Sequence, residues 1–344
     1  MERKLATIRK IAELRPIEGA DKIELAIVDG WQVVVAKDVE HMVGDTVVYC
    51  EIDSFLPIRE EFEFLRKSSY KKMGDQEGFR LKTIKLRGQV SQGLILPISV
   101  VPITQFATAL NLPEGMDVTE MLGIVKYEPP IPAELAGKVK GGFPSFLHKT
   151  DEERVQNLVK EYGEWRFTSK HLFYVTEKLD GSSATYYIND GVFGVCSRNL
   201  ELLETEGNTF WKVARELDLE NKMKSLGKNV CFQGELIGEG IQGNPYKIKG
   251  HTVRFYTGFN IDKQTRIPFM EFASLLTELN LQYVPVLNQE YGFLFPDSVE
   301  DMLKYAEGKS ALNPNTEREG VVVRSMDGTI SFKAISNKFL LEEK

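Results

Sequence analysis

Glu177-Lys178-Leu179-Asp180-Gly181-Ser182-Ser183 ends one apolar, strand-like run, LFYVT, and opens another, ATYYIN. A lysine amine attacks phosphorus or carbonyl carbon only when unprotonated. Its ordinary pKa is about 10.4, so a site that uses it must destabilise the cation. Partial desolvation beside a metal ion or other cations does this. Asp180 shares the face of Lys178 if the strand continues, and Gly181 permits a tight turn and close backbone approach. Alone, Lys-Leu-Asp-Gly reads first as a strand ending in a turn with a surface ion pair. Its meaning depends on what surrounds it.

The chain has 344 residues, enough for about two domains at roughly 150 residues each. Its 43 basic and 50 acidic residues leave a formal charge of −7, so a polybasic binder is excluded and any nucleic-acid surface must be local. A hydrophobic content of 42% argues against global disorder. The cysteines, Cys50, Cys196 and Cys231, are odd in number and lie far apart in strand-like runs. They form no zinc motif and read as buried reduced thiols. The N-terminus lacks a signal-peptide core, and the most apolar stretch, GLILPISVVPI, is too short for a span. The expectation is an intracellular protein, cytoplasmic or nuclear, with no membrane and no protein partner.

Residues 1–125 are β-rich, with turn signals at Asp29-Gly30 and Gly44-Asp45 and a helical stretch near Glu60 to Lys67, which suggests a small barrel. Residues 126–148 have linker composition, with Pro129-Pro130, Pro132, Gly141-Gly142 and Pro144. Thr150 and Glu153 form a capping-box pattern, so a helix is expected from about Asp151. Residues 149–344 mix strands with helices near Gly207 to Asp218, Pro268 to Leu279 and Ser298 to Glu307. Without a strict βαβ rhythm, the class is α+β with antiparallel sheet.

Behind the lysine segment come Ser197-Arg198-Asn199, FQGELIG with Glu235, FYTGFNI with Phe259, EGVVVR with Glu319 and SFKAIS with Lys333. This order resembles the motif series of the covalent nucleotidyltransferases: DNA ligases, RNA ligases and mRNA-capping enzymes. The resemblance implies that Lys178 is the nucleophile, with Lys333 and Asp180 as further catalytic groups. It implies an ATP or AMP site made of Glu177, Lys178, Arg198, Glu235, Phe259 and Lys333. Arg198 and Glu235 would hold the ribose, Phe259 would stack on the base, and Glu177 would approach the base edge. Lys333 would stabilise charge on the α-phosphate. Asp180, Glu235 and Glu319 offer hard oxygens to Mg²⁺ or Mn²⁺, directly or through water.

Gly234-Glu235-Leu236 followed by Gly240-Ile241-Gln242-Gly243-Asn244 is similar to the RNA-ligase branch. Only eleven residues follow Lys333, so the C-terminal OB domain of DNA ligases and capping enzymes has no place. The segment KLRGQVSQGLILP resembles instead an N-terminal OB module, as in two-domain RNA ligases of the Deinococcus and Naegleria type. Ile335 stands where related enzymes carry a second lysine. The implied activity is ATP-dependent sealing of RNA 3′-OH and 5′-phosphate ends or nicks through lysyl-AMP and AMP-capped RNA, in RNA repair, with a nicked duplex as the expected partner. A DNA ligase, a GTP-dependent capping-type enzyme and an inactive RNA-binding module are the alternatives. Nucleic-acid contact is expected from Lys71, Lys72, Arg80, Lys82, Lys85 and Arg87, where basic and aromatic residues interleave. Lys149 and Arg154, just before the core, are two further candidates.

Overall fold

A computed structural model describes residues 3–37, 41–102, 112–128, 138–167, 172–288 and 292–342. The chain divides into two compact units. One comprises Met1–Ile131, Gln156–Val159 and Leu340–Lys344, and the other Pro132–Val155 and Lys160–Phe339. No helix among the described residues is long and apolar enough to cross a membrane.

The first unit is built from short antiparallel strands. Thr46–Cys50 lies between Ala6–Lys10 and Leu94–Pro97, and Ile23–Val28 lies between Glu13–Pro16 and Trp31–Ala36. The side-chain period of two is clear in Trp31–Ala36, where Trp31, Val33 and Val35 are buried and the residues between them are not. The turn before that strand places Asp29 at φ 50°, as a tight hairpin requires. Ser54–Pro57 pairs with Gln76–Arg80, which pairs with Tyr70–Met73, while Thr83–Leu86 and Gln89–Gln92 form a separate hairpin. Ile8, Val48, Cys50, Leu56, Phe62, Phe79 and Leu96 share one core. The helical stretch forms as a 3-10 turn, Glu60–Leu65, with one helical turn, Arg66–Ser69.

The second unit contains two sheets. Seven antiparallel strands run in the order Val139–Gly142, Leu200–Leu202, Val192–Cys196, Ser182–Asn189, Val230–Gly238, His251–Asn260 and Thr265–Arg266. Five more run Glu153–Arg154, Ser331–Ile335, Gly320–Ser325, Phe173–Lys178 and Val286–Asn288, and only the first pairing is parallel. One face of the larger sheet, with Tyr186, Phe232 and Phe255, packs on the helices Thr209–Glu216, Leu219–Lys224 and Phe269–Glu278 through Trp211, Met223 and Phe272. By alternation, the opposite face carries Ser183, Gln233 and Glu235. The chain crosses from the smaller sheet to the larger at Leu179-Asp180-Gly181, directly after Lys178.

Two local expectations change. The helix expected from Asp151 begins instead at Val159 and runs to Arg166. The Thr150 hydroxyl is bonded to the Tyr256 hydroxyl at 2.8 Å rather than capping a helix. Asp151 and Glu152 are drawn to cations of the smaller sheet, and residues 153–154 form its edge strand. Cross-sheet charge pairing overrides the local capping signal. In the expected linker, Pro129, Pro130 and Pro132 lie outside the described residues, whereas Val139–Gly142 is paired in the larger sheet.

Candidate active site

Lys178 is the last residue of its strand and lies in register with Gly320. A side chain at Gly320 would meet the Ala334 carbonyl oxygen at 2.2 Å, so only glycine lets these strands approach. The neighbouring Glu319 then reaches the amine, and Lys178 Nζ stands 2.6 Å from Glu319 Oε1. Arg318 anchors this segment by donating to the carbonyls of Tyr305, Ala306 and Glu307 at the end of the helix Val299–Ala306. Glu235 enters from the larger sheet, in register with Ser183. Gly181 allows the crossover because a Cβ there would lie 2.5 Å from the Leu236 carbonyl oxygen.

The charges of this cluster are coupled. Burial pulls the pKa of Lys178 down, but Glu319, then Glu235 and Asp180, override it and hold the amine above its ordinary value. Burial pushes Glu235 up to about 8, with Glu319 and Asp180 adding to the rise and Lys178 opposing it. The lysine is therefore surrounded by acidic groups from both sheets and the crossover turn, with Glu319 its nearest counter-ion. Among the described residues, no three Asp, Glu, His or Cys groups are close enough to chelate a metal directly. The surplus of hard oxygen charge around one ammonium nevertheless fits a hydrated divalent ion held through its waters.

Lys333 is 9% exposed, and its amine lies 2.8 Å from Asp151 Oδ1. The other oxygen of Asp151 is 3.3 Å from the Arg198 guanidinium, so one carboxylate joins a strand of the smaller sheet to the loop after Val192–Cys196. Glu177 is 1% exposed. Its Oε2 accepts from the Ala311 N–H at 2.7 Å, and its Oε1 has no hydrogen-bond partner among the described residues. Burial raises its pKa, against the pull of Ser310 and the Ala311 N–H.

Lys178, Asp180, Glu235 and Glu319 thus come together, and Asp151 brings Lys333 and Arg198 together. Phe259 stands apart from this cluster. It pairs with Cys231, four residues before Glu235 on the neighbouring strand, is 4% exposed, and packs with Leu147, Tyr187 and Cys231. The His148 ring lies against it, tilted, at a centroid distance of 4.8 Å.

The nucleic-acid candidates separate as well. Lys71, Lys85 and Arg87 are exposed, whereas Lys72 is 2.8 Å from Glu77. Arg80 stacks over Tyr127 at 4.4 Å, 3.5 Å from Asp53, and Lys82 is partly buried. Lys149 donates to Asn199 at 3.0 Å. Arg154 is 5% exposed and in register with Lys333, which places it inside the unit rather than on its surface.

Sequence reading missed Asp151 and Tyr246. The Tyr246 hydroxyl accepts the Asp180 backbone N–H at 2.6 Å, and its ring packs with Leu179 and Ile237. Asp151 lies within a segment read only for its cations and as a helix start. Tyr246 follows a glycine-rich loop and carries no motif signal.

A family profile described as RNA ligase matches residues 171–338, and an OB-fold domain profile matches residues 5–98. No curated protein sequence matches the chain. Among solved structures, an apo variant of Naegleria gruberi RNA ligase is 44% identical, with 98% of this chain and 97% of that chain covered and a TM-score of 0.89. A variant of the same enzyme with ATP and Mn is 43% identical over 98% of both chains, with a TM-score of 0.88. A further structure, with PPi, is 44% identical over 98% of both chains, with a TM-score of 0.89.

Proposed function

The chain belongs to the RNA ligase family, and from that premise we propose an ATP-dependent ligase that stores AMP on Lys178 and then seals RNA 3′-OH and 5′-phosphate ends, in nicked duplexes. The observation that carries the site is the 2.6 Å pair between Lys178 and Glu319, beside Asp180 and Glu235, at the sheet crossover. The Naegleria enzyme structures with ATP and Mn support the same substrate and a manganese or magnesium ion here. The domain reading accompanies this activity: an OB module over 1–125, a connecting segment over 126–148 whose strand Val139–Gly142 joins the larger sheet, and the adenylylation core over 149–344. Three buried free cysteines support an intracellular setting, cytoplasm or nucleus.

Asp180, Glu235 and Glu319 would hold a hydrated divalent ion, which would supply the positive charge that Lys178 otherwise provides there. Lys178 then loses a proton, and Glu319 is the base within reach at 2.6 Å. The amine nitrogen bonds to the α-phosphorus as the bond to pyrophosphate breaks. Lys333 leaves Asp151 for the α-phosphate oxygens, and Arg198 turns to the ribose. Glu177, buried with one free carboxylate oxygen, accepts the adenine amino group. In the second step the RNA 5′-phosphate takes AMP from Lys178. In the third, the 3′-OH attacks the 5′-phosphate and expels AMP. Alignment between the two sheets accounts for most of the catalysis.

The test is covalent labelling. After an intact-mass check for protein that is already adenylylated, the chain is incubated with α-labelled ATP or GTP and Mn²⁺, then denatured. Label from ATP, absent in Lys178→Ala, is the expected outcome. Label from GTP would point to capping chemistry, and no adduct at all would overturn the proposal.

A further inference from the structure

The ligase unit contains cations that the lysyl-transfer site does not use. From Gly240 to Ile261 the chain has 22 residues without a single Asp or Glu, although acids outnumber bases in the whole sequence. Within this run stand Lys247, Lys249 and Arg254. Among the described residues, none of the three side chains makes an ion pair or a hydrogen bond. The lysines are exposed, and Arg254 is half-buried with its Nε shielded from water and without a partner. A guanidinium left unpaired at that depth costs solvation and gains nothing from the folded chain.

These residues stand close to the chemistry. Glu239 to Gly250 form a loop between the strands Val230–Gly238 and His251–Asn260, closed by the Glu239 N–H donating to the Gly250 carbonyl at 2.9 Å. Gln242 donates to the Gly181 carbonyl at 3.4 Å, and Tyr246, next to Lys247, accepts from the Asp180 N–H at 2.6 Å. Asn313 holds the Pro245 carbonyl at 2.8 Å, and the Asn244 side chain closes on Ile248 through both its amide groups. Gln242, Asn244 and Lys247 all have φ near +50°, a left-handed conformation that persists only where the surroundings fix it. Lys247 and Lys249 are therefore carried on a braced loop fastened to the catalytic turn, and Arg254 stands on the strand that follows it, in register with Glu235.

We propose that Lys247, Lys249 and Arg254 form a binding strip for the phosphodiester backbone of RNA flanking the break to be sealed. The inference rests on the ligase reading above. A chain with a net charge of −7 repels RNA at long range, so its attraction must come from uncommitted cations beside the reacting ends. The strip carries no base-reading geometry, and it serves position rather than sequence.

The test uses full-length protein and a nicked RNA duplex whose 5′ end is already AMP-capped, so that sealing no longer depends on ATP. Lys247→Ala with Lys249→Ala alters only exposed side chains. KM for the nick is expected to rise about tenfold, and its dependence on salt concentration to become shallower by about two counter-ions. Lys178 adenylylation by ATP without RNA is expected to stay within twofold of the unchanged enzyme. Arg254→Gln, measured separately, is expected to raise KM with adenylylation likewise retained. Unchanged KM and salt dependence in both variants would overturn the strip. So would equal losses of adenylylation and sealing, since the cations would then serve nucleotide binding or folding. Failure of the unchanged enzyme to label Lys178 or to seal the capped nick would instead remove the ligase reading itself.

Discussion

Asp151 shows how much one carboxylate can organise. It holds Lys333 at 2.8 Å and Arg198 at 3.3 Å, the two cations assigned to the nucleotide. Asp151→Asn removes the competing charge, and KM for ATP in Lys178 labelling is expected to fall several-fold with little change in maximal rate. Tyr246 acts on the other side of the nucleophile. Tyr246→Phe keeps the ring packing but leaves the Asp180 N–H without its 2.6 Å acceptor. The labelling rate is expected to fall about tenfold, for a loss near 1.4 kcal/mol, and the Mn²⁺ optimum to shift, while the melting temperature stays within two or three degrees. Glu235 carries a pH signature. Its folded pKa of about 8 lies above its ordinary 4.5, so between these values the folded state binds more protons than the unfolded one. Its contribution to stability is full below about 4.5 and is lost as pH rises toward 8. Glu235→Gln is expected to melt higher than the unchanged protein at pH 8.5, to lose this difference near pH 4.5, and to label poorly with ATP. Thermal unfolding across that pH range checks the sign.

At the scale of elements, the active site depends on how strands and helix ends meet. Arg318 satisfies carbonyls at the end of the helix Val299–Ala306 and so fixes the Glu319-Gly320 strand start beside Lys178. Arg318→Ala is expected to cost about 2 kcal/mol in chemical denaturation, because the arginine's bonds to the carbonyls of the helix end are lost. Labelling of Lys178 is expected to slow as well, since Glu319 loses its anchor. The helices Thr209–Glu216, Phe269–Glu278 and Val299–Ala306 were legible because Asn208, Pro268 and Ser298 mark their starts and apolar residues recur at helical spacing. The segment at Asp151 misled because its capping pattern is a local signal, whereas its side chains bond across two sheets.

In the whole molecule, the residues of lysyl transfer all belong to one compact unit, Pro132–Val155 with Lys160–Phe339. The protein is acidic overall, so sealing and lysyl transfer should respond differently to salt. RNA association depends on counter-ion release from many phosphates, whereas the Lys178 cluster is shielded from bulk ions. Raising salt from 50 to 200 mM is expected to weaken sealing of a capped nick by about a hundredfold or more, with a much smaller effect on Lys178 labelling. Parallel assays on one preparation separate the two.

The sequence by itself determined the elements and the chemistry-bearing residues: period-two runs for strands, capped apolar runs for helices, and an ordered series of short motifs around Lys178. These are local patterns, and local sterics and burial suffice to express them. Only the tertiary structure decided which of those residues meet. Lys178 and Glu319 come from adjacent strand ends of the smaller sheet, and Glu235 comes from the larger one. Asp151 finds Lys333 across 182 positions of chain. Phe259 meets His148 across more than a hundred positions of chain. Such pairings depend on sheet register and on the long-range balance between desolvation and opposite charge, and neither is written in a local stretch of sequence.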